Sequence, residues 1–564
     1  MKPVKFILGL LLGVVIFMLP IGQVQPASLS SVQNISVQLE GRKKPLDTVA
    51  RETVMQIYGK GSYKTVEGEK LDYLDTYLSL WFNTRDWNEE PLILFNYRPL
   101  KTQLGLDVEQ KYFSFGELMR SPLGSIILDA KEKQAAEVDL TRNEKEALTI
   151  EERLALTIAT VGSDRLPLVP HPTDIKGKWL DLDSATEYYS DSAVKIIQQD
   201  YSQLQQAYRQ QSPDLELAAD KLRQDLASLS PSIYPTLATS QREVSFYGSH
   251  YFAKASILYG LGFITILVTI AIATWELYWS GVGIFSAGLI THGFGFVERM
   301  QIAGRPPVTN MYESVIWVSF GIIAIALLFE LIHQAKYYFA AAAPLAILCL
   351  VLADSLPAVL DPTISPLVPV LRDNFWLSVH VPTIALSYAG FALAYGLGHI
   401  ILGHYLLAPQ AKAKIRSLSK WNYGVLQAGV LLLTTGIILG GIWAHFSWGR
   451  FWGWDPKETW ALIALMCYVV PLHGRLVGWL ADFGMAVTSV VSFNAVLMAW
   501  YGVNFVLGTG LHSYGFADGG SELVVASFVG FDLLLVLLVA AKHQKWFQVK
   551  DKVIAKVISD SKAA

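Results

Sequence analysis

The sequence predicts a mainly α-helical, polytopic membrane bundle of about nine spans, with an N-terminal anchor or signal segment and a mixed, helix-rich extracytoplasmic domain. Three observations carry this reading. Of 564 residues, 52% are apolar and only 16% charged, against about 25% charged in ordinary soluble domains. Apolar runs long enough to cross a bilayer recur regularly through the second half of the chain. Charge divides the chain: residues 26–250 hold 25 Lys and Arg against 33 Asp and Glu, a net −8, whereas residues 251–564 hold 18 against 15, a net +3. The apolar content excludes a disordered chain. The two cysteines, Cys349 and Cys467, each sit in an apolar run, which excludes a disulfide scaffold, a Cys-based zinc site and a CxxC redox motif.

Residues 1–25 form the first element. Lys2 and Lys5 precede an apolar run from Phe6 to Ile21, and the small residue Ala27 comes after it. Positive charge ahead of an apolar run sends the downstream chain out of the cytoplasm. An uncleaved anchor and a cleaved signal both fit, and either places residues 26–250 outside. That second element is punctuated by Pro99, Pro122, Gly124, Pro167, Pro170 and Pro172. Its stretch from Thr186 to Leu229 lacks Gly and has one breaker, Pro213, so two helices should meet there. His171, between two prolines, belongs in a turn. This domain shows no catalytic constellation and reads as a docking or scaffolding module.

The transmembrane domain, 251–545, contains spans at roughly 256–274, 281–298, 312–332, 338–356, 376–403, 422–443, 459–478, 484–507 and 523–541. The alternation puts loop 407–421, with Lys412, Lys414, Arg416 and Lys420, inside together with the tail 546–564, as the positive-inside rule asks. Loops 299–311, 357–375, 444–458 and 508–522 then fall outside.

Chemistry concentrates in the outer loops. Segment 443–460 carries Trp443, Trp448, Trp452, Trp454 and Trp460, interleaved with Arg450, Asp455, Lys457 and Glu458. An interfacial aromatic belt explains one or two of these tryptophans. Five among charges suit a flat, π-rich ligand with an acidic edge, and haem is such a ligand. His380 opens one span and His512 comes after another, at the depth of the Trp segment. Two histidines at one level on different spans can ligate haem iron from both sides. His473 lies 13 residues after Trp460, roughly 20 Å deeper, and an ionisable residue inside a span is functional by default. His292 is a weaker case of the same kind. His399 and His404 fall near the cytoplasmic end of their span, where a histidine costs little. In the run Arg299–Ser314, Thr309 or Asn310 should cap the next helix. Arg299 or Arg305 should pair with Glu313 or with a ligand carboxylate.

These elements, in this order, resemble the CcsA (ResC) family of system II cytochrome c biogenesis, within the haem-handling superfamily that shares a Trp-rich WWD segment. The resemblance covers about 250–540 and rests on Trp448–Trp460, Pro306–Ser314, His380, His473 and Gly508–Tyr514. The segment beginning Leu39-Glu40-Gly41-Arg42 is similar to extracytoplasmic regions that precede this core in some members. The resemblance implies a multi-pass protein of the bacterial inner membrane, with residues 26–250 periplasmic. It implies export of haem b, as transported ligand, and its attachment to the CxxCH motif of apocytochrome c. His380 and His512 match the external haem-ligating pair and His473 a transmembrane histidine on the route outward. Arg450, Lys457 or Arg305 would neutralise propionates on the Trp platform, and Asp455 or Glu458 would serve chiefly in ion pairs. The family also implies partners: a CcsB/ResB-like membrane subunit supplying a second transmembrane histidine unless His292 does, apocytochrome c, membrane lipid, and a thiol-reducing thioredoxin-like protein. Nucleic acid is not expected. The implied activity is that of a haem-lyase (holocytochrome c synthase) component. Three other readings stay open: a haem exporter or chaperone without ligation, a quinone-linked cytochrome b-type subunit, and a carrier of another amphipath with the Trp segment as lid.

Overall fold

A computed structural model describes residues 9–16, 29–272, 275–357, 359–367, 369–507, 512 and 522–563. The chain divides into two compact units, one of residues 20–249 with 363–366 and one of 1–19, 250–362 and 367–564.

The first unit is helical with three small two-stranded antiparallel sheets. In the first of these, Ser36–Leu39 pairs with Arg42–Pro45, and Glu40 and Gly41 form the two-residue turn with positive φ at both positions, the geometry that matches strand twist. Arg42 holds Glu243 with both guanidinium nitrogens, at 2.8 and 2.7 Å. The helices Asp191–Arg209 and Leu215–Leu229 meet around Pro213. His171 does sit in a turn, its Nδ1 accepting the Asp174 N–H at 2.9 Å. Trp81, Phe82 and Tyr201 anchor the core.

The second unit is the membrane bundle. A helix over residues 9–16, α1, comes first. After it come α2 (Tyr251–Ile272), α3 (Trp275–Ala303), α4 (Met311–His333), α5 (Tyr337–Ser355), α6 (Asn374–Leu407), α7 (Lys412–Trp448), α8 (Pro456–Leu476), α9 (Asp482–Leu507) and α10 (Glu522–Ala563). Nine of these, α2 to α10, are long and apolar enough to cross a membrane among the described residues. The protein is a helical, multi-pass membrane protein. Of residues 1–25 only 9–16 lie within the described residues. There α1 lays Gly9 and Gly13 against α3, where added Cβ atoms would meet Ser280 and Ala287; small residues four apart let two membrane helices approach closely.

Helices α6 and α7 form the spine. Gly390 and Gly429 face each other across it, and Phe391 stacks flat on Tyr468 of α8 at 3.8 Å. The last span is held to α6 by a buried polar cluster: Asp532 of α10 binds His399 Nε2 at 2.7 Å and accepts the Tyr395 hydroxyl at 3.2 Å. His399, expected near the end of its span, is thus half-buried and held by a carboxylate. The turn 304–310, residues 359–362 and 369–373, and the segment 449–455 lie with His512 at one end of the bundle. Asn310 donates to the Asp361 carbonyl at 3.3 Å, and Val308, Leu371, Leu377 and Trp443 form one small core.

Candidate functional site

The site is assembled at that end from four helix termini. α8 begins with Asp455-Pro456-Lys457-Glu458. Asp455 is the N-cap, Pro456 takes the first helical position, and Glu458 returns to the Gly453 and Asp455 N–H groups at 2.7 and 3.2 Å. This is a capping box with proline where its missing N–H costs nothing. It explains the acidic residues of the Trp segment by helix chemistry before any ligand is invoked. The spacing is legible in sequence and passes unnoticed beside the tryptophans.

The same carboxylate has a second task. His512 Nδ1 lies 2.8 Å from Asp455 Oδ2. A carboxylate accepts, so Nδ1 carries the proton and the ring lone pair is on Nε2. The His512 ring stands edge-on to Trp448 at 5.0 Å. Of the Gly508–Tyr514 run, His512 alone lies within the described residues.

His380 is fixed by a parallel device. α7 presents Gly436 and Gly440 to α6, and a Cβ on Gly440 would come within 2.5 Å of the His380 ring. The bare backbone lets His380 donate its Nδ1–H to the Gly436 carbonyl at 2.9 Å, which again leaves the lone pair on Nε2. Trp443 stands edge-on to it at 5.7 Å. His512 and Lys457 lie within electrostatic reach of His380. Each of the two histidines that the sequence pairs has the ring nitrogen opposite its lone pair tied to an acceptor. Ligating histidines are oriented in this way.

The tryptophans separate into two groups. Trp443 is buried in the small core and Trp460 packs half-buried into the bundle, so neither belongs to an open platform. Trp448 and Trp452 are half-buried and Trp454 is exposed. Trp452 and Trp454 are edge-on at 5.8 Å. Trp454 is 69% exposed and held at φ +59°, a left-handed conformation that costs a bulky residue about 1–2 kcal/mol. Gly453 beside it leaves room for the Arg450 guanidinium, which a Cβ there would have to displace. Arg450 pairs with Glu458 at 3.3 Å and lies over the Trp448 ring at 5.7 Å. The indole N–H groups of Trp443 and Trp452 are buried and lack an acceptor among the described residues. A buried orphan donor costs about 1–3 kcal/mol, and such donors beside two oriented imidazoles fit a ligand with acceptor groups.

Arg299, not Arg305, takes Glu313, in a fully buried pair at 2.7 Å. The other Glu313 oxygen accepts the Thr309 N–H and hydroxyl, both at 2.7 Å, and Asn310 is the N-cap of α4. Arg305 is half-buried in the same loop. Lys457 donates to Asn504 at 2.8 Å. Asn504 lies in a π-helical stretch, Met498–Leu507, whose Trp500 donates to Ser314 of α4 at 3.1 Å; such wide turns recur at functional sites. His473 lies in the last turn of α8, on the exposed stripe of Met466 and Val470, its Nδ1 bound to the Val469 carbonyl at 2.9 Å. His292 is enclosed by Phe252, Phe296 and Phe320 and bonded to Tyr259 at 3.2 Å.

Residues 308–512 match the family model described as cytochrome C assembly protein. Protein NrfI of Wolinella succinogenes is 30% identical over 495 residues, covering 85% of this chain and 53% of NrfI; the chain spans about half the length of that relative. The CcsA cytochrome c biogenesis proteins of Trieres chinensis and of Prochlorococcus marinus strain MIT 9303 are 32% and 35% identical. They align with 44% and 39% of this chain and with 91% and 79% of their own lengths. The solved cytochrome c haem lyase CcmF superposes with a TM-score of 0.35 at 14% identity, over 52% of this chain and 50% of CcmF. With nine apolar helices, and a CcsA relative matched over nine-tenths of its length, the chain belongs to the CcsA family of cytochrome c biogenesis proteins.

Proposed function

We propose that this chain carries haem b to the Trp-segment end of its bundle and presents it there for attachment to the CxxCH motif of an apocytochrome c. The observation that carries the reading is how His380 and His512 are held: one Nδ1–H is given to a backbone carbonyl at 2.9 Å, the other to a carboxylate at 2.8 Å. Both tautomers leave the Nε2 lone pair available, and it would be the atom to bind a haem iron. Trp448, Trp452 and Trp454 would bear the porphyrin faces, and the orphan indole N–H groups and Arg450 would take its carboxylates.

The chain contributes position rather than a nucleophile. Attachment adds each thiol S–H across a vinyl C=C, sulfur to one carbon and hydrogen to the other, with no net electron transfer. Holding the vinyl groups against the incoming thiols supplies much of the rate. The CxxCH histidine would replace one of the two ligands.

His473 faces outward from α8, which supports a ligand shared with a neighbouring CcsB/ResB-like subunit. His292, sealed in its aromatic box, is a poor substitute for that subunit's histidine. Export outward through the bacterial inner membrane, with residues 26–250 periplasmic, accords with the charge alternation of the loops. A thioredoxin-like reductant would keep the acceptor thiols reduced.

The test is the absorption spectrum of the detergent-purified chain beside its His380→Ala/His512→Ala variant. A reduced bis-histidine haem spectrum in the wild type, lost in the variant and regained with imidazole, is the expected result. Haem retained by the variant would move the ligands elsewhere, with His473 first. Wild-type protein that takes up no haem even with its membrane partner would overturn the reading.

A further inference from the structure

The end of the bundle opposite the Trp segment holds a concavity of about 440 Å³, walled by the ends of α6 and α8, the starts of α7 and α9 and the middle of α10. Lys412 and Arg416 reach it from α7, Arg475 from α8 and Lys542 from α10. Among the described residues Asp482 is the one carboxylate in its wall, and it is already bound to Arg475 at 2.6 Å. Arg475 also donates to the Leu480 carbonyl at 3.2 Å, and Lys542 to the Leu406 carbonyl at 2.7 Å. Among the described residues the Arg475–Asp482 pair is the ion pair in this wall.

Two further features share this space. The first residues of α7 and α9 line it, and their N-caps, Ala411 and Ala481, supply no side-chain acceptor, so first-turn N–H groups add positive potential. Two rings line it: Tyr405 stands edge-on to His543 at 5.1 Å, and His543 is backed from behind the wall by Phe483 at 4.0 Å.

A topological excess of cations needs only to be somewhere in the loops. Here four converge from three helices on one concavity, where low-dielectric walls focus the field. Cations at the mouth and rings at the wall suit an amphipathic anion with a planar body, its carboxylates in the cationic rim.

We infer that this cavity binds the paired carboxylates of a planar amphipathic dianion, the propionate edge of haem as it enters the bundle. The inference rests on the haem-handling reading above and names where the acidic edge docks, on the face of α8 that carries Arg475 rather than His473. An anionic phospholipid headgroup offers similar charge without the ring and is the competing source.

The full chain in phosphatidylcholine nanodiscs, with Cys349 and Cys467 replaced by alanine, would carry a fluorophore on Leu407→Cys, an exposed position beside the cavity. The probe is iron-free protoporphyrin IX, which no histidine can ligate, compared with its dimethyl ester. The expected result is saturable quenching by the diacid, weakened about tenfold in Lys412→Gln/Arg416→Gln and restored in Lys412→Arg/Arg416→Lys. The ester should quench without saturating, and diacid binding should survive inclusion of phosphatidylglycerol. Unchanged quenching in the Gln variant, or an ester as effective as the diacid, overturns the inference. Displacement of the diacid by phosphatidylglycerol assigns the cavity to lipid and overturns it too. The haem spectrum from His380 and His512 is read on the same proteins: its presence in the Gln variant shows an intact fold, and its absence in wild type sinks the parent reading alone.

Discussion

Asp455 is the residue where fold and proposed chemistry meet, and substitutions can separate its two roles. Its Oδ2 accepts from the Lys457 N–H at 3.1 Å and from His512 Nδ1 at 2.8 Å. As an N-cap it is worth about 1 kcal/mol, and Asn caps nearly as well. As the acceptor behind a metal-ligating histidine it is worth about 10- to 100-fold in affinity. Asp455→Asn keeps one acceptor oxygen and the cap but loses the charge, and charged acceptors bind about twice as strongly as neutral ones. Its haem Kd should rise about tenfold, with an unchanged melting temperature. Asp455→Ala removes both roles: Kd should rise about 100-fold and stability fall by about 1 kcal/mol. The assay is an equilibrium haem titration of the apoprotein in detergent, read by Soret absorbance, with thermal melts of each variant. Wild-type affinity in Asp455→Asn, with Asp455→Ala losing thermal stability alone, would show that Asp455 is only a helix cap and that His512 is not an oriented ligand.

Four other contacts lead to distinct outcomes. Gly440→Ala should push the His380 ring off the Gly436 carbonyl, because the new Cβ would sit 2.5 Å from it; haem binding should fall with little change in helicity by circular dichroism. Arg299→Met strands Glu313 in a site where both partners are 1% exposed and should cost about 3–5 kcal/mol in detergent melts. The double variant Arg299→Met/Glu313→Met should recover much of that, although it still loses the Thr309 tether. Asp532→Leu leaves the Tyr395 hydroxyl and His399 without their shared acceptor and should lower stability by about 1–3 kcal/mol, read as faster proteolysis around α10. In the first unit, burial, then Asp72 and Glu69, push the Asp75 carboxyl up to about 6. The folded state therefore holds this proton more tightly than the unfolded chain, and the contribution to stability is lost as pH rises from about 4 to about 6. Asp75→Asn should raise the melting temperature at pH 7.5 and leave it unchanged at pH 3.5.

Much of this protein is readable without coordinates because the bilayer imposes a simple rule. Each span must satisfy its own backbone, so it must be a helix of about 20 apolar residues, and the nine runs expected from sequence correspond one for one to α2 to α10. The helix break at Pro213, the turn at His171 and the cap at Asn310 are likewise local, set by side chains acting on their own backbone. The placing of His380 and His512 at one end of the bundle is also foreseeable, since depth along a helix comes from residue count once the topology is given.

Packing decided the rest. Nothing in the order of residues says that Asp455 reaches His512, 57 positions away. Nor does it say that Gly436 lends its carbonyl to His380, that Trp443 and Trp460 turn inward while Trp454 is held open, or that Asp532 seeks His399. Those contacts depend on which helix faces meet, and faces are chosen by where glycines permit backbones to approach and where a buried charge can find a partner. Composition determined that this chain lives in a membrane and where its chemistry gathers. The tertiary structure decided which nitrogen each histidine presents, because an imidazole's tautomer is set by the acceptor that packing brings to its other side.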